Sequence, residues 1–536
     1  MSDDLSTEQT EQTDTSSVST DPTLTDQSAA NAAARRKRRI LISAATAVVV
    51  LAAAGGIAAW AANEPASSPS NAAPETTLTV ALQLFPENLD IRSTAGAALD
   101  QTLIDNVYQP LVSRDPRGKI LPSVAKSWTV SQDALTYTFA LAPDAAFSNG
   151  DPLTAADVVW SITEVTAKQY HDYQALASVG SVTASDEHTV VVKLKQPDPT
   201  LLYNLAGRVG LVFDQKATND RKSTAIGSGP FQVSSFKPGA TLTLTRNPKY
   251  RGDPAQVGTV VFKLFSDTNA IVNAVQAGTV DVASIDPNLR SQVQNNTGYD
   301  LVTGFASDKF TLAFNNRVAP FTDLRVRQAI RYAIDHAAIV KAVGGGKTLS
   351  GPIVESDPGY QDLSGLYPYD PAKARQLLAE AGHGNGLELT LRIASFYGST
   401  VTDLLTSQLA QVGIKLTVKA EEFATWLKDV YTNHDYQLSI VDHAEARDFY
   451  NWANPKYYFG YDNQQVQQLY QQATTAASEA EYASLLQQAA RIVAQDAAAD
   501  WLYNPTPTIA VRKGVTGVPT DSTSSRLDLT DAKISK

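Results

Sequence analysis

Asp442, His443, Glu445, Arg447 and Asp448 fall within seven consecutive positions, and Tyr450, Trp452, Tyr457 and Tyr458 follow closely. Carboxylates beside an arginine can hold the two ends of a zwitterion, an acid taking an ammonium and Arg447 a carboxylate through a two-pronged hydrogen bond. Such charges cost several kcal/mol each when a closing cleft removes their water, unless an opposite charge arrives with the ligand. The same residues also suit a solvated turn in which the acids and the arginine pair with each other. His443 with Glu445 adds a further option, a pair of metal ligands.

Signals for other chemistry are weaker. The six histidines, at 171, 188, 336, 383, 434 and 443, show no metalloprotease spacing, and a Gly-x-Ser-x-Gly elbow is absent. Gly346-Lys347-Thr348 resembles the tail of a phosphate-binding loop, but Lys341 stands where the first glycine is required. Paired acids of the glycosidase kind stay open, so a cell-surface hydrolase using the same cleft is the alternative to a binding protein. The 536 residues include no cysteine, which excludes disulfides, thiol nucleophiles and a lipid-modified N-terminal cysteine. A formal net charge of -11 argues against a nucleic-acid partner.

The elements that must position this cluster are legible from periodicity. Residues 387–393 alternate as a strand, 401–412 form a helix stopped by Gly413, and Ile414, Leu416 and Val418 make a second strand. A helix over 422–431 and a strand over 436–441 complete a β-α-β-α-β run, which in one sheet means parallel strands with right-handed crossovers. Ligands of such sheets sit beyond the carboxyl ends of the strands. That rule points to the loop 394–400, with Phe396 and Tyr397, and to the loop 442–452.

Upstream, residues 310–314 alternate as a strand, and Pro320 with Asp323 leads into a helix whose buried stripe is Val326, Ile330, Ala333, Ile334 and Ala337. Leu78, Val80 and Leu82 form an early strand, followed by a loop carrying Phe85. Thr154 caps a helix with Asp157 at its third position. Asp370-Pro371 opens another helix, and residues 479–497 make a long amphipathic one.

The N-terminus reads as a separate object. Residues 1–34 carry acids and no Lys or Arg, so the tail is expected to be disordered and cytoplasmic. Arg35, Arg36, Lys37, Arg38 and Arg39 precede 23 uncharged residues, 40–62, long enough to cross a hydrocarbon layer of roughly 30 Å. A single-pass anchor is expected, with 63–76 as a tether and the rest exported. A cleaved signal peptide, with Ala59-Trp60-Ala61 as its processing site, is the rival reading.

Four groups of residues carry a resemblance. They are Asn315, Pro320-Phe321, Asp323, 325–329 and 332–335; the run 121–128 with 137–139 and 147–159; Gly227 to Phe231 with Arg246 to Tyr250; and 369–371 with Ala381-Gly382. Over about residues 77–520 the chain resembles the extracellular solute-binding proteins of ABC importers, peptide/nickel branch (family 5). The resemblance implies an α/β, two-lobed periplasmic-binding-protein-like fold of the class II type. The first lobe would be 77–310 plus 505–536, with an extra subdomain at 116–204; the second would be 311–504. Two crossover hinges are expected, near 311–315 and 503–507.

It also implies a monomeric, non-enzymatic carrier without cofactor or resident metal, taking a di- or oligopeptide to membrane permease subunits driven by an ATPase. A nickel or metal-chelate cargo is the alternative within the family. An aspartate in the family holds the peptide's amino end, and Asp442 or Asp448 is the best match here. The family's Asp-Pro pair is replaced by Glu445-Ala446-Arg447-Asp448. The expected binding set is Asp442, Glu445, Arg447, Asp448, Tyr450, Trp452, Phe396, Tyr397 and Phe85.

Overall fold

The computed structural model describes residues 76–94, 96–521 and 526–535. The expected tail, anchor and tether therefore lie outside the described residues, apart from Thr76. Among the described residues no helix is long and apolar enough to cross a membrane.

Two large sheets organise the chain. The first, seven-stranded, runs in the order Tyr299–Thr303, Thr508–Arg512, Val282–Ile285, Thr77–Leu82, Thr259–Leu264, Thr241–Arg246 and Phe231–Lys237. Thr77–Leu82 sits at its centre, parallel to both neighbours. Its Leu78, Val80 and Leu82 are buried with Leu242, Leu244 and Phe262. The late strand Thr508–Arg512 inserts antiparallel between two earlier ones, so the chain returns to this lobe near its end.

A satellite four-stranded antiparallel sheet, Ala125–Val130, Thr136–Leu141, Thr189–Leu194 and Val179–Asp186, forms the subdomain. Alternate residues Tyr137, Phe139 and Leu141 bury against Val158, Ile162 and Val165 of the helix Ala155–Ala167. That helix begins with the expected capping box: the Thr154 amide donates to Asp157 Oδ2 at 2.9 Å.

The second sheet has the order Ile414–Glu421, Leu387–Ala394, Leu438–His443, Lys309–Phe314 and Ala499–Tyr503. Its first three strands are parallel, as the β-α-β-α-β reading requires. The helix between the first two is Thr400–Ala410. The next was expected as one helix over 422–431; it is a short α-turn, Phe423–Trp426, that widens into a π-helix, Leu427–Thr432.

The crossings between the sheets are residues 304–308 and 504–507. The second falls where the sequence places it. The first lies a few residues earlier than 311–315, because Lys309–Phe314 is paired on both edges and buries Leu312, Ala313 and Phe314 completely. A strand held on both edges and covered on both faces cannot serve as a hinge without losing its ladder. Asn504 ties the crossings together: its Nδ2 donates to Ala306 O at 2.8 Å and to Asp308 O at 2.7 Å.

Candidate functional site

At the carboxyl ends of the parallel strands lie two adjoining cavities: one of about 390 Å³ between the lobes, and one of about 430 Å³ lined by the first lobe and the two crossings. Both are bordered by Asp286, Pro287, Pro505 and Thr506, so they form one cleft along the second crossing. The first cavity takes Phe396, Tyr397 and Gly398 from the loop after Leu387–Ala394, and Asp442 from the end of the next parallel strand. Phe310 and Tyr503 stack there with ring centroids 4.6 Å apart, and Tyr397 meets Phe310 edge-on at 5.6 Å. The facing wall comes from the first lobe, with Asp286, Asn288 and Arg290.

Asp442 is strongly perturbed. Burial pushes its carboxyl well above the usual carboxylate range, and the neighbouring Asp308 charge adds to this. Asp308 is also raised, chiefly by burial. Two acids this close cannot both ionise cheaply out of water. Asp442 Oδ1 is buried and has no hydrogen-bond partner among the described residues. Its amide donates to Tyr397 Oη at 3.1 Å, and burial pushes the Tyr397 phenol up to about 12. A cation entering here would meet an acid pair that its charge stabilises in the ionised form.

The rest of the acidic loop does other things. Asp448 forms a buried ion pair with Lys309, Oδ1 to Nζ at 3.2 Å. Burial raises its carboxyl to about 6 although Lys309 opposes the shift. Lys309 Nζ also donates to Ser307 O at 3.0 Å and Glu445 O at 2.8 Å, so the loop is pinned to the first crossing. His443 is driven down to about 3 by burial and then by Lys309. The His443, Glu445 and Asp448 donor atoms lie within 4.8 Å of one another. The Lys309 ammonium already supplies the cation beside Asp448, so the set is poorly suited to a metal.

Arg447 turns away from the cavities. Its amide donates to Asp357 Oδ2 at 2.6 Å and its Nη2 lies 3.3 Å from Glu479 Oε1. Its guanidinium sits 3.8 Å from the centre of the Tyr203 ring, and so does that of Arg114. Tyr203 lies on the turn of helix Leu201–Leu205, whose Leu201 and Leu205 pack in the satellite-sheet core, so Arg447 connects that core to the second lobe outside both cavities.

Of the nine residues singled out in the sequence, Phe396, Tyr397 and Asp442 line the cleft. Glu445 and Tyr450 are exposed outside both cavity walls. Trp452 is not on the cleft wall: it is 3 % exposed in the second-lobe core, stacked on Phe459 at 4.2 Å. Phe85 packs on Phe236 at 6.3 Å, against the first-lobe core. Sequence reasoning overlooked Asp308, Phe310, Tyr503 and Arg526. It set aside the glycine loop 344–346, all at positive φ, which lines the first cavity. The signal for that loop was present, since three successive glycines let a backbone approach closely.

Two α/β lobes joined by two crossings around an acidic, aromatic-lined cleft define a two-lobed solute-binding fold. The chain belongs to the bacterial extracellular solute-binding proteins, family 5, whose middle-region model matches residues 119–468. A Brucella ovis protein named as a candidate ABC transporter peptide-binding protein is 33% identical over 349 residues, 62% of this chain. The match spans 66% of that relative's length, just under two thirds. Di/tripeptide-binding protein 1 of Pseudomonas aeruginosa is 27% identical over 415 residues, covering 68% of this chain and 75% of its own. The fold matches the substrate-binding protein CtaP of Listeria monocytogenes with a TM-score of 0.78 at 22% identity, covering 86% of this chain and 100% of that one. DppA of Helicobacter pylori, in complex with peptide STSA, matches with a TM-score of 0.68 at 21% identity, over 86% and 99%.

Proposed function

We propose that this protein captures short peptides outside the membrane and delivers them, unaltered, to the permease of an ABC-type importer. One observation carries the reading: an interlobe cleft whose buried Asp442 carboxyl has an unpartnered oxygen and a second acid, Asp308, beside it. A peptide's ammonium supplies the missing charge and hydrogen-bond donors together. Asp442, not Asp448, takes this role, since Asp448 is committed to Lys309. Phe396 and Tyr397 receive side chains at the mouth. Relatives named as peptide-binding proteins support the cargo class.

Ligand favours a closed arrangement of the lobes by binding it better than the open one. The basic run 35–39 and the uncharged run 40–62 support tethering at the cell membrane, with this domain outside. Native mass spectrometry of the full-length protein, purified without denaturation, tests the proposal. Intact peptides at one per chain are expected. Recovery of a metal chelate without peptide, or turnover of bound peptide, would sink it.

A further inference from the structure

We infer that the first cavity continues outward as an apolar shelf, formed by Phe396, Phe423, Leu427 and Tyr431, which takes hydrophobic side chains at the third and later positions of a bound peptide. The inference rests on the peptide reading above and narrows the cargo to peptides longer than two residues with an apolar distal part. Phe396 is the link between cavity and shelf. It lines the cavity and yet is 63 % exposed. Its ring centroid lies 4.5 Å from that of Tyr397 on the inner side and 5.7 Å from that of Phe423 on the outer side.

Buried rings hold the shelf from beneath. Phe423, 49 % exposed, stacks at 5.9 Å on Trp426, which is part of the second-lobe core. Trp426 in turn meets the buried Tyr458 edge-on, and Tyr458 supports Tyr431 at 5.5 Å. Leu427 and Tyr431 are exposed together on the π-helix Leu427–Thr432. A π-turn is rare within helices and recurs at functional sites.

Three rings and a leucine, each about half exposed, present roughly 400 Å² of apolar surface, in the range of functional patches on monomers. A stable protein interface takes about 800 Å² from each partner, so a second copy of the chain is a poor occupant, whereas a few peptide side chains match the area. Continuity with the cavity favours the same occupant. An extended peptide advances about 3.4 Å per residue, so two residues cross roughly the width of a cavity of 390 Å³. A chain held by its ammonium at Asp442 therefore brings its third side chain to Phe396 and the shelf beyond.

The test uses two pentapeptides that begin with the same two alanines and continue with three leucines or with three serines, titrated against the full-length protein. The leucine peptide is expected to bind about 30-fold more tightly. In the variant Phe423→Ser with Leu427→Ser, that preference is expected to fall to about threefold or less. Both positions are exposed, and an unchanged circular dichroism spectrum checks that the variant is folded. Equal affinity of the two peptides for the unaltered protein overturns the shelf and leaves the peptide reading intact; binding of neither overturns both. A preference that survives in the folded variant overturns the shelf. So does an equal loss for both peptides, which would mean that the first lobe covers these side chains on closure. A dimer in light scattering that the two serines dissolve would assign the patch to a second copy and overturn it as well.

Discussion

Asp442 and Asp448 stand six positions apart in one loop, yet burial gives them opposite duties. Folding raises the Asp442 carboxyl, so the folded chain holds this proton more tightly than the unfolded one. Its contribution to stability is therefore present at low pH and lost as pH rises through the raised folded value. Asp442→Asn is expected to stabilise the ligand-free protein at neutral pH by about 1 kcal/mol or more, flatten the pH profile of its melting temperature, and weaken peptide binding about 100-fold. Thermal melts across pH and titration with tripeptides check both halves; a destabilised variant that still binds would contradict the site. Asp448→Ala should behave in the opposite way, losing about 3–5 kcal/mol in denaturant melts because Lys309 is left buried without its partner.

At the scale of elements, what depended on neighbours in sequence was legible and what depended on distant partners was not. The caps are local: Asp370 accepts from the Lys373 amide at 2.9 Å and Asp323 from the Arg325 amide at 2.8 Å, as residue type and spacing foretell. The hinge is not local. Alternation in 310–314 announces a strand but not that both its edges are paired, which moves the first crossing to 304–308. Nor does any local signal announce that Asn504 joins two segments nearly two hundred positions apart. Asn504→Ala leaves the Ala306 and Asp308 carbonyls without this donor, so a loss of about 1–3 kcal/mol is expected. Amide exchange across 304–308 should quicken. Unchanged exchange would mean that the crossings are held by something else.

For the whole molecule, the cleft between the lobes and the two short crossings set the expected motion. Saturating tripeptide should lower the radius of gyration of the protein in solution scattering. A profile identical with and without bound peptide would count against lobe closure. The contact of Arg447 with Tyr203 lies outside the cleft and joins the subdomain to the second lobe. An arginine that reads in sequence as a carboxylate binder is here held against an aromatic ring and Glu479.

Periodicity, caps and turn residues by themselves determined the parallel β-α-β-α-β core and, through the strand-end rule, the two loops that carry Phe396, Tyr397 and Asp442. These follow from side-chain spacing along a few consecutive residues. Only the tertiary structure decided which acid faces the cleft, that Trp452 belongs to the core, and that Arg526 enters the same cavity system from the far end of the chain. Charge placement depends on burial and on partners brought together by the fold. Residue type alone does not encode whether an arginine is buried against a ring, as Arg447 is, or paired with an acid, as Arg526 is with Asp105.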